Sequence, residues 1–154
     1  MADFLSNEQL VSLAREFGTP LYVYNADQIR GQYNKLEKAF SKCNARFFYA
    51  CKALSNINVL KYVESIGASL DCVSINEVKL GLRAGFTPER ILFTPNCVDF
   101  AEVDEGKQLG VNLNIDNISI LEQFGNKYGG SYPICIRFNP HIMGGGNYKI
   151  STGH

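Results

Sequence analysis

The sequence predicts an α/β fold in the form of an incomplete (β/α)₈ barrel, and two patterns in the chain support this prediction. Apolar segments with the character of strands begin at residues 45, 69, 91, 111 and 134, so that successive starts are 24, 22, 20 and 23 residues apart. Evenly spaced strand–helix units of this kind indicate parallel strands joined by right-handed crossovers. The second pattern is that each strand is apolar on one face and polar on the other toward its end, as in a barrel whose helices cover only the outside.

The first 44 residues are predicted to lead into the barrel. Ser6 and Gln9 form a capping box, which predicts a helix that ends at Gly18. A short strand is expected over residues 21–24, and a charged amphipathic helix over residues 25–40. These elements form one predicted segment, 1–44, ahead of the barrel strands in 45–154.

From residue 45 onward strands and helices alternate regularly. Strands are predicted over residues 45–50, 69–73, 91–93, 111–115 and 134–138, and helices over residues 58–66, 76–84, 100–109 and 119–128. The second of these helices begins with a capping box of Ser74 and Glu77 and ends at Gly85. A complete barrel needs roughly 250 residues. We therefore expect the first five βα units, ending before barrel closure.

One other architecture accepts the same alternation. A five-stranded doubly wound sheet would be complete within 154 residues. Such a sheet has helices on both faces and therefore has strands that are apolar on both faces. In the second strand, however, Leu70 and Cys72 oppose Ser69 and Asp71, and the fourth and fifth strands alternate in the same way. The alternation favours the barrel.

Composition and charge exclude several classes of protein. The chain has 154 residues with 15 Lys+Arg and 15 Asp+Glu, so its zero net charge gives no electrostatic signal for nucleic acid or an anionic membrane. No apolar run approaches the ~20 residues of a membrane helix, and the start lacks the features of a signal peptide. The five cysteines form no C-x-x-C pair, which indicates neither a zinc site nor a disulfide framework and predicts a reducing, cytoplasmic location with no bound metal.

Lys52 is the first candidate catalytic residue. It directly follows an apolar strand and lies on the polar face, where an amine that loses hydration becomes a candidate Schiff-base nucleophile. Asp71 lies near the end of the next strand on the same face, where a carboxylate can hold the lysine and take part in proton transfer. A purely structural Lys–Asp pair accounts for this spacing equally well.

The residues around Lys52 resemble a known motif. Residues 48–53 (FYACKA) resemble the pyridoxal-phosphate lysine motif of the alanine-racemase-like barrel decarboxylases of fold type III. Residues 19–24 (TPLYVY) resemble the N-terminal strand of the diaminopimelate decarboxylases in that group. Further resemblances follow in the family's order: DCVS at 71–74 with Glu77, GFTPERI at 85–91, NID at 114–116, RFNP at 137–140 and STGH at 151–154. The resemblance covers residues 19–154.

This resemblance implies a cofactor and a reaction. Pyridoxal 5′-phosphate would form a Schiff base with Lys52, close to Asp71, and Arg137 and Asn96 would be further cofactor-binding residues. The full-length protein would convert meso-2,6-diaminopimelate to L-lysine and CO₂ in bacterial lysine biosynthesis. It would act as a homodimer on a small amino-acid substrate, with the active site at the subunit interface. The phosphate site, the partner of the pyridine nitrogen and a C-terminal β-domain are expected beyond His154, so this segment alone is expected to be inactive.

The sequence also allows other interpretations of the function and fold. The family has Asn two residues after the lysine, where this chain has Leu54, although Ser55 or Asn56 could replace that contact. A related decarboxylase could act on ornithine, arginine or carboxynorspermidine instead. A pyridoxal-phosphate-binding regulatory protein without catalysis is another interpretation, which the retention of Lys52 disfavours. A flavodoxin-like binding domain is the third.

Overall fold

The computed structural model describes residues 4–139 of the chain. These residues divide into two compact units, with the boundary between Ala45 and Arg46. Residues 140–154, which include the end of the RFNP resemblance and all of STGH, lie outside the described part. No helix among residues 4–139 is long and apolar enough to cross a membrane.

The first unit contains two helices. Helix α1 (Asn7–Phe17) begins with the predicted capping box, in which the Gln9 N–H donates to Ser6 Oγ and the Ser6 N–H donates to Gln9 Oε1. This helix ends at Gly18, whose φ of 80° is readily adopted only by glycine. The capping box and the terminal glycine were therefore sufficient to predict both ends of α1.

The connection between the two helices differs from the prediction. Helix α2 (Ala26–Ala39) begins at Asn25, whose side chain accepts the Gln28 N–H. Residues 21–24, predicted as a short strand, form no strand. The described part of this unit contains no other strand, so their backbone groups have no ladder to join in spite of favourable β-propensity.

The second unit is a five-stranded parallel sheet in which the strands follow the order of the chain. The strands are β1 (Phe48–Ala50), β2 (Ser69–Cys72), β3 (Ile91–Phe93), β4 (Asn112–Ile115) and β5 (Ile134–Ile136), and the helices are α3 (Ile57–Ser65), α4 (Ile75–Ala84), α5 (Phe100–Gln108) and α6 (Ile118–Tyr128). A doubly wound sheet reverses its strand order at a switch point, which this sheet does not do. The topology confirms an open section of a barrel.

β3 has the predicted bounds, and the other four strands are shorter than predicted because pairing sets their length. β1 begins at Phe48, which is opposite Ser69 in the first pair of the β1–β2 ladder, so residues 45–47 are not part of the strand. β5 ends at Ile136, opposite the last residue of β4, although the Arg137 N–H still donates to the Ile115 carbonyl. Because β1 and β5 are the edges of the described sheet, each has a partner on one side only.

The core lies between the sheet and helices α3–α6. Direct pairing of Tyr49 with Leu70 and of Ala50 with Asp71 divides the sheet into a helix-facing side and an open face. Strands β2–β4 bury their helix-facing residues, whereas Ile136 of the edge strand β5 is 66% exposed. The helices add further buried apolar side chains to those of the strands: Cys51, Leu70, Cys72, Ile91, Phe93, Leu113 and Ile115 come from the strands and their ends, and Leu60, Val78, Val103 and Phe124 from the helices. Apart from Ser69, which is buried on the open face, the buried strand residues all lie on the helix-facing side, and this confirms the pattern predicted for a barrel wall.

Candidate active site

Lys52 and Asp71 both lie at the carboxyl ends of neighbouring strands, β1 and β2. Ala50, the last residue of β1, pairs with Asp71, and Lys52 follows two residues later in the short 3₁₀ turn Cys51–Ala53. The Lys52 side chain is exposed, so the predicted loss of hydration of its amine is wrong for residues 4–139. β1 is an edge of the described sheet, so only β2 borders this position and the amine remains open to solvent and to a ligand.

The Asp71 carboxylate is held in place by a residue that sequence analysis missed. The hydroxyl of Thr94, which directly follows β3, donates to Asp71 Oδ1 at 2.6 Å. The Thr94 N–H also donates to the carbonyl of Cys72 at 2.7 Å. The only sequence signal is alternation: Leu92 pairs with Asp71, so Thr94, two residues later, returns to the same face.

Asp71 and Thr94 begin a row of polar side chains on the open face, and Asn114 continues this polar row on β4. Phe93 pairs with Leu113, so the next position in the register places Thr94 opposite Asn114 on the open face. The side-chain oxygen Oδ1 of Asn114 is buried and has no hydrogen-bond partner among residues 4–139. Because a buried acceptor without a donor is costly, this oxygen is a ready contact for an N–H or O–H group of a ligand.

The other two predicted cofactor-binding residues, Arg137 and Asn96, follow later strands of the sheet. Arg137 follows the edge strand β5 and is exposed, two residues after Cys135, which pairs with Asn114. Arg137 therefore extends the row on the open face. Asn96, in contrast, lines a cavity of about 200 Å³ with Val103 and Ile120, and neither Asp71 nor Thr94 is among the residues that line it. The structure does not bring Asn96 into the row.

Glu77 and two cysteines lie at the same end of the sheet. The Sγ atoms of Cys51 and Cys72 and a carboxylate oxygen of Glu77 lie within 4.8 Å of one another. Burial raises the pKa of the Cys51 thiol to about 11, and burial, with further contributions from Cys51 and Glu77, raises the pKa of Cys72. Both thiols are therefore neutral near pH 7 and pack as small apolar groups.

The predicted role of Glu77 as a helix cap needs a correction. Ser74 accepts the Glu77 N–H at the start of α4, as expected for a capping box. The Glu77 carboxylate, however, accepts the N–H of Val73 at 2.8 Å rather than that of Ser74. The reciprocal bond thus reaches one residue too far for a capping box and ties the end of β2 to the helix. The remaining cysteines, Cys43, Cys97 and Cys135, are exposed.

One polar row therefore lies at the carboxyl ends of the strands. It begins with the amine of Lys52, in the 3₁₀ turn after β1, and continues on the open face with a carboxylate and its hydroxyl donor, an amide and a guanidinium: Asp71, Thr94, Asn114 and Arg137. In α/β barrels this end of the sheet is where active sites lie. An exposed amine beside a fixed carboxylate can bind an aldehyde covalently, and the remaining groups can hold a polar ligand.

Comparison with known proteins identifies the family. The family described as "Pyridoxal-dependent decarboxylase, pyridoxal binding domain" matches residues 26–154. The chain belongs to this family. Diaminopimelate decarboxylase of Methanothermobacter thermautotrophicus is 40% identical over 145 residues, which cover 93% of this chain and 34% of that protein. Diaminopimelate decarboxylase of Escherichia coli K12 is 33% identical over 153 residues, covering 97% of this chain and 35% of that protein.

Solved structures of pyridoxal-dependent decarboxylases have the same fold. Diaminopimelate decarboxylase from Helicobacter pylori complexed with L-lysine superposes with a TM-score of 0.83 at 30% identity, covering 94% of this chain and 38% of that one. Lysine/ornithine decarboxylase from Vibrio vulnificus complexed with putrescine superposes with a TM-score of 0.71 at 26% identity, covering 86% of this chain and 39% of that one. The chain thus spans about a third of the length of its relatives.

The residues of the row fit a pyridoxal group. The exposed Lys52 amine is accessible to an aldehyde, and the buried Asn114 oxygen has no donor among the described residues. A ligand that bears both an aldehyde and hydrogen-bond donors would satisfy both groups. This fit agrees with the pyridoxal phosphate that the family binds.

Proposed function

We propose that the full-length protein carrying this chain is a pyridoxal-phosphate-dependent decarboxylase that converts meso-2,6-diaminopimelate to L-lysine and CO₂. The observation that carries this proposal is the position of Lys52 in a pyridoxal-binding domain, two residues after Ala50, which pairs with Asp71 at the ends of β1 and β2. Because the chain spans about a third of its relatives, we expect the segment alone to be inactive.

Each residue of the row would have its own part in binding the cofactor and substrate. Lys52 would hold pyridoxal phosphate through its amine and would carry a proton at Nζ when that amine is free. Asp71, fixed by Thr94, would supply negative charge beside the amine, and Arg137 would supply positive charge at the other end of the row. When bound, pyridoxal phosphate accepts the electron pair that remains on the substrate as CO₂ leaves.

The proposed substrate rests on the relatives. Two relatives named diaminopimelate decarboxylase are 33% and 40% identical to this chain, and a solved structure of that enzyme holds L-lysine, the proposed product. The lysine/ornithine decarboxylase, which holds putrescine, is 26% identical. Diaminopimelate is therefore the first substrate to test, and ornithine, arginine and carboxynorspermidine are the alternatives.

Assembly and location are also part of the proposal. We expect a homodimer with active sites at the subunit interface, as the family resemblance implies, and a cytoplasmic location. All five cysteines are free, which supports a reducing compartment. Light scattering on the full-length protein measures the assembly directly, and a monomeric, fully active enzyme would contradict the dimer.

The test is covalent trapping of the cofactor on the full-length protein. Borohydride reduction with pyridoxal phosphate, followed by peptide mapping, should place the adduct on Lys52. Lys52→Ala should abolish both the adduct and CO₂ release from meso-diaminopimelate. Lys61→Ala, which removes an exposed lysine of α3, is the matched control and should change neither.

The outcomes separate the alternatives. An adduct at Lys52 with CO₂ release from ornithine, arginine or carboxynorspermidine but not from diaminopimelate would reassign the substrate. An adduct without decarboxylation of any of these amino acids would favour the regulatory homologue. No adduct at Lys52 would overturn the proposal.

A further inference from the structure

We infer that Thr94 is a positioning residue that fixes the Asp71 carboxylate beside Lys52. The inference rests on the proposed function, because it concerns a residue that acts through Asp71 on the amine that would hold the cofactor. Thr94 lies outside the motifs whose resemblance identified the site, and its role follows from the contacts of its side chain and backbone.

Thr94 is itself held rigidly. Its N–H donates to the carbonyl of Cys72 at 2.7 Å, and its hydroxyl donates to Oδ1 of Asp71 at 2.6 Å. The two bonds join one residue to consecutive residues of the neighbouring strand. Because a β-branched side chain has few χ1 rotamers, the backbone bond leaves the hydroxyl little freedom to point elsewhere.

The bond to Asp71 is of the strong kind. An O–H···O⁻ distance of 2.6 Å falls in the range of charge-assisted hydrogen bonds, which are about twice as strong as neutral ones. Asp71 and Thr94 are both half-buried, so water competes for this bond less than it would at the surface. Holding Oδ1 also restricts rotation of the carboxylate and hence the directions open to its second oxygen.

The position of the pair explains why orientation matters. Asp71 pairs with the last residue of β1, and Lys52 follows that residue by two positions. Lys52 is exposed and its side chain is long, so the amine depends on neighbouring groups for its placement. A carboxylate held in one orientation supplies its negative charge from a constant direction, whereas a freely rotating one does not.

The experiment compares three variants of the full-length protein. Thr94→Val keeps the shape and removes the hydroxyl, and it should lower kcat for decarboxylation about 10-fold or more with KM changed less, as expected for a lost bond to a charged group. Thr94→Ser keeps the hydroxyl and should restore kcat to within about 3-fold of the wild type. Thr87→Val, the same change at an exposed threonine, should leave kcat unchanged.

A double variant separates positioning through Asp71 from a merely structural role. Asp71→Ala removes the acceptor, so adding Thr94→Val to it should cause little further loss. A full additional loss in that double variant would overturn the inference.

The remaining outcomes are distinguishable. If the wild type gives no borohydride adduct at Lys52, the proposed function fails. If the adduct forms and Thr94→Val has wild-type kcat, or if Val and Ser are equally impaired, only the role of Thr94 is overturned. Thermal melts report whether each variant folds, and Thr94→Ala, which introduces no new atoms, replaces Thr94→Val if the latter is unfolded.

Discussion

Cys51 and Cys72 lie side by side on the helix-facing side of the sheet, one residue before Lys52 and one residue after Asp71. Both cysteines are 0% exposed. Two neutral thiols therefore lie on the helix-facing side of the sheet, behind the polar groups of the proposed active site on the open face. The same burial that keeps these thiols unreactive links the stability of the fold to alkaline pH.

We predict that the free energy of unfolding falls as the pH rises above about 8.5. The Cys51 pKa is raised to about 11 in the folded protein by burial, whereas an unfolded cysteine titrates near about 8.5. A folded-state pKa above the unfolded value means that the contribution is complete below the unfolded pKa and is lost as pH rises toward the folded one. Cys51 alone should contribute a loss of about 1–2 kcal/mol by pH 10, and Cys72 shifts in the same direction.

Urea unfolding at pH 7 and pH 10 measures this loss. The double variant Cys51→Val/Cys72→Val keeps apolar groups of similar size without a titrating proton, so it should show a smaller difference between the two pH values. Cys43→Ser, which changes an exposed cysteine, should behave like the wild type. An equal pH dependence in the wild type and the double variant would rule out these thiols as its cause.

We next predict opposite effects of alanine at two helical glycines. A Cβ atom at Gly106 in α5 would lie 2.9 Å from Phe93 Cδ1 and 3.0 Å from Leu113 Cδ2, both of them in the packed core. Gly106→Ala should therefore lower the free energy of unfolding by about 1–3 kcal/mol. At Gly125 in α6 nothing lies within 4 Å, so Gly125→Ala should raise it by up to about 1 kcal/mol through helix propensity.

Chemical denaturation of the two glycine variants checks this prediction. The pair is matched, because the substitution and the type of element are the same and only the space around the new methyl group differs. If both variants were stabilised, the sheet could shift away from α5 without cost, and the close approach of helix and sheet at Gly106 would not limit the packing.

The sequence predicted the parts of this fold that depend on local chemistry. Ser6 and Gly18 bound α1 as expected, and Gly85 follows α4 with φ 108°. Alternation along the strands also predicted which face is buried, because each position is fixed relative to its neighbours by the pleat. The strand ends were predicted less accurately, because they depend on pairing: β1 begins at the residue opposite Ser69.

The candidate site was only partly predictable for the same reason. Lys52 and Asp71 could be found because a strand end and an ordered set of motifs mark them. The bond from Thr94 to Asp71 joins residues 23 positions apart, and it depends on the register between β2 and β3, which no local pattern supplies. The exposure of Lys52 likewise depends on which elements border β1.

We predict that Arg90 stabilises the fold more than an exposed ion pair does. Its guanidinium donates to Glu64 Oε1 at 2.6 Å and to the carbonyls of Glu64 and Ala68, which joins the residue before β3 to the last turn of α3 and to the residue before β2. Arg90→Lys keeps the charge and loses the fork, so the free energy of unfolding should fall by about 1–3 kcal/mol.

The half-exposed pair of Lys79 and Glu105 is the matched control for Arg90. Its atoms are 2.7 Å apart, yet Lys79→Met should cost no more than about 1 kcal/mol because water screens the pair. Equilibrium unfolding of the two variants provides the comparison. Equal losses would mean that the hydrogen-bonding fork of Arg90 contributes no more than an exposed ion pair does.

The last prediction concerns the buried oxygen of Asn114. Because Oδ1 has no donor among residues 4–139, Asn114→Leu should leave the cofactor-free protein as stable as the wild type or more stable. If this oxygen instead accepts a bond from the bound cofactor, pyridoxal phosphate should raise the Tm of the wild type more than that of the variant. Thermal melts of the full-length protein with and without the cofactor measure both quantities. A variant that is destabilised without cofactor, but stabilised by it as much as the wild type is, would show that Asn114 supports the fold rather than the ligand.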